Sequence, residues 1–140
     1  MIDDDVDRLA QRVIGCAIEV HRTMGPGLLE SIYRECLLIE LVTQGLAADC
    51  ERLIAVDYKG RTLQARFRID ILVGRSIIVE LKAVDALRPV HSAQVISYLK
   101  LTGYPAGLLI NFCETTLLAG LKRLDHPERY AKRKKGEDGI

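Results

Sequence analysis

The segment Arg68–Ala83 reads RIDILVGRSIIVELKA: an Asp sits in one apolar run, and a Glu and a Lys flank a single Leu in the next. Charge inside such a run is costly unless a partner, a metal ion or a hydrogen-bond network compensates for it. Side chains of a strand alternate between faces, so Glu80 and Lys82 share one face while Val79, Leu81 and Ala83 take the other. In the preceding run the same parity groups Phe67, Ile69, Ile71 and Val73 on one face and Arg68, Asp70 and Leu72 on the opposite one. If Gly74 turns the two runs into a hairpin, residues equidistant from it pair, and Asp70 falls opposite the Glu80 region. Asp70, Glu80 and Lys82 then converge. Two adjacent carboxylates repel, and a divalent cation is the common way to hold both ionised; hard oxygen donors suit Mg2+ or Mn2+. A neighbouring lysine would position or activate a water. On a solvent-facing sheet the same residues make a different structure, cross-strand ion pairs of Glu80 or Asp70 with Lys82, Arg68 or Arg75.

The elements that must carry these residues follow from periodicity. Val6, Leu9, Val13, Ala17 and Val20 recur at helical spacing over Asp4–Thr23, with Ile14 and Ile18 widening the stripe. Gly25-Pro26-Gly27 breaks that helix, and LLESIYRECLLIELVTQG resumes the period until Gly45. From Arg52 the texture changes to three short β-branched or alternating runs punctuated by Gly60 and Gly74, read as consecutive antiparallel strands. Pro89 opens an amphipathic helix that Gly103 closes, and AGLLINF follows as a buried strand. The expected order is α-α-β-β-β-α-β. CETTLLAGLKRLDH fits either a strand–turn pair or a last helix. On the third helix His91, Gln94 and Tyr98 fall on one side, beside Val95, Ile96 and Leu99, which would pack on the sheet. That polar group would border the acidic site, although each residue alone also fits a routine amphipathic boundary.

Asp70, then Glu80-Leu81-Lys82 on the next strand, then a helix with Gln94 and Tyr98, resembles the PD-(D/E)XK nuclease superfamily. GLLESIY, Gly27–Tyr33, matches the GxxExxY signature of a small bacterial family within it, and VELKAV and HSAQVISYLKLTGYPAGLLINF are similar to that family as well. The resemblance spans about residues 6–123. It implies an α/β (α+β) fold with a restriction-endonuclease-like core, a mixed β-sheet flanked by helices. It also implies metal ligands Glu30, Asp70 and Glu80, with Asp70, Glu80 and Lys82 catalytic and Mg2+ or Mn2+ as cofactor. Glu30 enters through the family alone. Tyr33, His91, Gln94 and Tyr98 would brace the site or touch substrate; Tyr33, one turn after Glu30, fits a packing role equally well. Ile69 stands where the family often has Pro, which leaves the acidic ligand intact. The implied activity is metal-dependent hydrolysis of phosphodiester bonds in nucleic acid, DNA or RNA. The alternative is a nucleic-acid- or protein-binding module that keeps the fold without turning over. Lys100, Lys122 and Arg123 are candidate phosphate contacts, or simply solvated surface.

Composition bounds the rest. With 140 residues, 49% hydrophobic and 28% charged, the chain suits one soluble globular domain, expected over 1–126, with a flexible basic tail over 127–140. A net charge of +1 means that any affinity for polyanions must come from local clustering. Cys16, Cys36, Cys50 and Cys113 have neither CxxC nor zinc-finger spacing, and read as small buried residues of a reducing compartment. The acidic start MIDDDVDRLA lacks the pattern of a signal peptide, and no apolar run reaches membrane-spanning length. The expectation is a cytoplasmic protein without a membrane partner, with room for a homodimer interface on the apolar first helix.

Overall fold

A computed structural model describes residues 2–129. The elements are α1 (Ile2–Met24), α2 (Glu30–Thr43), β1 (Ala48–Tyr58), β2 (Arg61–Val73), β3 (Ile77–Lys82), α3 (Pro89–Thr102), β4 (Ala106–Asn111) and β5 (Leu121–Asp125), with one 3-10 turn at Leu118–Gly120. The strands lie in sequential order in one sheet. All neighbours are antiparallel except β3 and β4, which run parallel and are joined by the α3 crossover. This is a mixed sheet flanked by helices, as expected, with one strand more: the stretch left open at 113–126 folds as a turn followed by β5.

Two hydrophobic layers sandwich the sheet. On one face Val13, Ala17 and Val20 of α1 and Tyr33, Leu37 and Leu41 of α2 cover Ile71, Val73, Val79, Leu81, Leu108 and Ile110. On the other, Val95 and Leu99 of α3 cover Ile69, Leu72, Ile78 and Leu109. Central β3 and β4 are buried on both faces, which is why their sequences are continuous apolar runs rather than alternating ones. The α3 layer comes very close at Gly107, where an added Cβ would lie 2.6 Å from Val95 Cγ1. Gly120 is tighter still, since a Cβ there would meet the Asn111 carbonyl oxygen at 2.2 Å.

The expected grouping of Phe67 and Ile69 with Ile71 and Val73 is corrected. Ile69 and Phe67 pack in the α3 layer, Ile71 and Val73 in the α1/α2 layer. Alternation therefore breaks at Asp70. Next door on β1, between the partners Cys50↔Ile71 and Arg52↔Ile69, Glu51 takes a left-handed backbone, φ 55°. The cysteines also depart from expectation: all four are free thiols, but only Cys16 is buried, and Cys50 is exposed on β1.

At the far edge, β5 is tied to α1 by a charge cluster. Arg129 Nη2 bonds Asp7 Oδ1 at 3.0 Å and its Nη1 bonds Asp125; Arg123 reaches both acids as well. Pro127–Arg129 thus continue onto the body of the protein, with Arg129 buried. The rest of the expected tail, 130–140, lies outside the described residues. Among the described residues no helix is long and apolar enough to cross a membrane.

Candidate active site

The β2–β3 ladder runs from the Gly74 turn through Val73↔Ile77, Leu72↔Ile78 and Ile71↔Val79. The next positions are Asp70 and Glu80, and here side chains replace backbone partners. The Asp70 amide donates to Glu80 Oε1 at 3.1 Å, and the Leu81 amide donates to Asp70 Oδ2 at 2.9 Å. Each carboxylate thus satisfies a backbone donor that the parting strands leave without a carbonyl. β3 stays rigid through its other edge, paired with β4 as far as Lys82↔Asn111. The expected hairpin pairing of Asp70 with Glu80 is what forms.

Both acids are deeply placed, Asp70 6% and Glu80 4% exposed. Burial, reinforced by the Asp70 charge, pushes the Glu80 carboxyl up to about 8; the Asp70 amide and Lys82 pull the other way. At neutral pH this pair therefore holds a proton that water would have taken, and a bound cation removes the reason for holding it.

Glu30 is the first residue of α2, half-buried, where a carboxylate also favours the helix N-terminus. Burial and then Asp70 raise its pKa, while Lys82, Arg34 and Arg68 oppose them, so Glu30 shares the electrostatic field of the pair. Among the described residues no three His, Cys, Asp or Glu side chains already stand as a closed metal cluster. What exists is an inner pair, Asp70 and Glu80, with Glu30 outside it. All are hard oxygen donors, and their excess negative charge fits a divalent cation.

The GxxExxY residues explain how Glu30 is delivered. Gly25 and Gly27 adopt φ 70° and 101°, values that favour glycine, and turn the chain between α1 and α2. Tyr33 is fully buried and stacks on Phe112 at 4.4 Å. Its hydroxyl donates to the Gly25 carbonyl (2.6 Å) and accepts the Leu28 amide (3.1 Å). Tyr33 therefore braces the loop that precedes Glu30 and does not reach the acidic pair itself.

Lys82, half-buried at the end of β3, opens onto a cavity of about 520 Å³ that it lines with Val90, His91, Ala93, Gln94 and Ser97. His91 Nδ1 accepts the Arg88 amide at 2.9 Å, closing the start of α3 and leaving Nε2 as the protonated nitrogen of the neutral ring. Tyr98 stacks on Phe67 at 4.2 Å. Burial, then the Glu80 charge, raises its pKa, and a hydrogen bond with Gln94 lowers it. Lys82, His91 and Gln94 thus share the cavity, and Tyr98 links Gln94 to the acids.

Two contributors escaped sequence reading. Arg34, one turn after Glu30, pairs with Glu51 at 2.9 Å and supplies positive charge beside Glu30; its i,i+4 spacing was the available signal. Asn111, fully buried, clamps the loop after β3 with both amide atoms: Nδ2 donates to the Val84 carbonyl (2.9 Å) and Oδ1 accepts the Val84 amide (3.1 Å). An Asn within LLINF was its only trace.

No curated protein matches the chain. Among solved structures, the crystal structure of SSO0001 resembles it with a TM-score of 0.53 and 22% identity, over 73% of this chain and 52% of that one. The chain thus spans about half the length of that structure, and the likeness is one of fold. A family model described as the PD-(D/E)XK nuclease superfamily matches residues 7–124. With the Asp70 and Glu80-Leu81-Lys82 arrangement seated at the parting of two strands and the match extending over most of its length, the chain belongs to the PD-(D/E)XK nuclease superfamily.

Proposed function

We propose that this protein is a metal-dependent nuclease that hydrolyses phosphodiester bonds of nucleic acid, and that within its superfamily it is a GxxExxY protein of the bacterial cytoplasm. The observation that carries this reading is the buried Asp70–Glu80 pair, negative in excess, with Lys82 beside it at the mouth of a cavity. Asp70 and Glu80 would hold Mg2+ or Mn2+, with Glu30 as the outer carboxylate. When bound, such an ion supplies Lewis acidity toward a phosphate oxygen and lowers the pKa of a water.

The protein groups do the positioning. Lys82 presents an ammonium to the attacking water or to a non-bridging phosphate oxygen, where it offsets charge that grows in the transition state. His91 offers its Nε2–H as a donor to the substrate backbone, and Gln94 a side-chain amide. Tyr98, held by its stack on Phe67 and within the field of Glu80, braces Gln94. Tyr33 acts at one remove, by fixing the loop that delivers Glu30.

The test is cleavage of labelled DNA and RNA, single- and double-stranded, in Mg2+ or Mn2+, with Glu80→Gln purified in parallel. Metal-dependent cleavage that disappears in the variant is the expected result. Equal activity in both would place the chemistry elsewhere. Metal binding by the wild type without any cleavage would favour the non-catalytic binding module.

A further inference from the structure

We propose that the β1–β2 hairpin is a DNA-binding arm that enters the major groove of a duplex beside the acidic site; this rests on the nuclease reading and adds its substrate class. β2 continues from Asp70 back to Arg61 with β1 as its only ladder partner, from Arg52↔Ile69 to Tyr58↔Arg61. Counted on β1, from Arg52 to Tyr58, that two-stranded ribbon is roughly 23 Å long at about 3.3 Å per residue. Its root is Asp70 itself, and Phe67, stacked on Tyr98, fastens it to α3. Its tip is narrow: Lys59 and Gly60 take φ 48° and 79°, the two positive values of a type I′ turn.

The charges of the arm are mostly positive. From Lys59 to Ile69 the chain carries Lys59, Arg61, Arg66 and Arg68 and no acid. Of the β1 acids, Asp49 pairs with Arg52 and Glu51 with Arg34, while Asp57 accepts the Thr62 hydroxyl and keeps its charge, one acid against the four cations. Among the described residues Lys59, Arg61 and Arg66 form no ion pair. In a protein of net charge +1, this is the local clustering that a polyanion requires.

Shape narrows the polyanion. β2 bulges between Thr62 and Arg66, but Arg61 pairs with Tyr58 and Arg66 with Ala55, an odd step along β1, so the two arginines emerge on opposite faces of the ribbon. A ribbon with cations on both faces fits a groove bounded by two phosphate backbones rather than one flat surface. The major groove of B-form DNA admits a two-stranded ribbon, whereas that of A-form RNA is deep and narrow. The length corresponds to roughly seven base pairs at about 3.4 Å each. A second copy of the chain is disfavoured as occupant, because the unpaired charges would repel their own kind.

Binding is measured in the Glu80→Gln protein, which keeps substrate intact, by fluorescence anisotropy over a range of salt. The probes are a 30-mer duplex DNA (about four times the reach of the arm), the same sequence as duplex RNA, and single strands. The variant K59Q/R61Q/R66Q is compared with R8Q/R22Q/R75Q, which removes the same charge from exposed positions off the arm; melting curves verify that both remain folded. The arm variant should lose on the order of 10–100-fold in duplex-DNA affinity and flatten the slope of log K against log salt by about 2–3. The control should lose no more than a few-fold, and duplex RNA should bind more weakly than duplex DNA. Unchanged binding by the arm variant, equal losses in both variants, or a preference for duplex RNA overturns the arm while leaving the nuclease reading standing. Absence of nucleic-acid binding by the parent overturns both. A dimer in light scattering that Leu63→Ser dissolves without altering DNA affinity would assign the arm to a second copy instead.

Discussion

Two clusters of sequestered charge share one small sheet, and they are built on opposite plans. At the β5 edge, Asp7 and Asp125 meet Arg123 and Arg129, so among the described residues acids and guanidiniums balance. At the parting of β2 and β3, Asp70 faces Glu80, and burial with like charge pushes the Glu80 carboxyl up to about 8. The balanced cluster ties α1 to the last strand and the chain that follows. The unbalanced one is tolerated because two backbone amides reward it locally, and its surplus charge is what a cation would use. The difference teaches that burial of charge alone marks neither site nor scaffold; the local sum of charges separates them.

Substitutions that treat the clusters alike should break them differently. The largest contrast is in catalysis: Glu80→Gln or Asp70→Asn should reduce metal-dependent cleavage on the order of a thousandfold or more. Asp125→Asn should leave the rate within about twofold when assayed well below its melting temperature, because balanced pairs support the fold only. The second contrast is in stability. Opening the balanced cluster with Asp125→Asn should cost about 2–4 kcal/mol, a fall in Tm of roughly 6–12 °C by calorimetry, whereas Glu80→Gln should not destabilise.

The third is metal linkage. Mn2+ at a hundredfold excess over its Kd should stabilise the wild type by about 2–3 kcal/mol. That rise in Tm should vanish in Glu80→Gln and survive in Asp125→Asn; a rise preserved in Glu80→Gln would detach the acidic pair from metal binding. The fourth contrast is in the pH profile without metal. Folded Glu80 keeps its proton to about 8, whereas the unfolded group loses it near 4.5. Between those values the unfolded state binds fewer protons, so stability falls as pH rises. Glu80→Gln should flatten that decline in chemical denaturation curves, and a wild type equally stable at pH 5 and pH 8 in chelator would contradict it.

The acidic site was legible in the sequence because strand parity and a hairpin turn are local rules, and Asp70, Glu80 and Lys82 lie within thirteen residues around Gly74. Parity failed one step away, at Ile69, because the strand switches layers where backbone bonds give way to carboxylates. No local pattern encodes that switch. Glu30 lay out of reach of periodicity, since its meeting with Asp70 depends on how α2 docks on the sheet, and only the family signature pointed to it. The helices and central strands were readable from period and punctuation. β5 was not, as LKRLD neither alternates cleanly nor runs apolar, and its pairing comes from β4 alongside it. Asn111 and Arg34 act through tertiary contacts, a clamp on Val84 and an ion pair with Glu51, that spacing along the chain does not announce.

The exchange of backbone for side-chain acceptors at Asp70 and Leu81 also gives the site its own spectroscopic label. Each of these two amide protons lies on a carboxylate oxygen rather than a carbonyl, so its resonance frequency is set by the charge on that carboxylate. In a two-dimensional nitrogen–proton correlation spectrum, a titration of acid or of diamagnetic Mg2+ should move the Asp70 and Leu81 peaks first and furthest. The amides of Ile78 and Leu72, inside the regular ladder a few residues away, would serve as the internal reference.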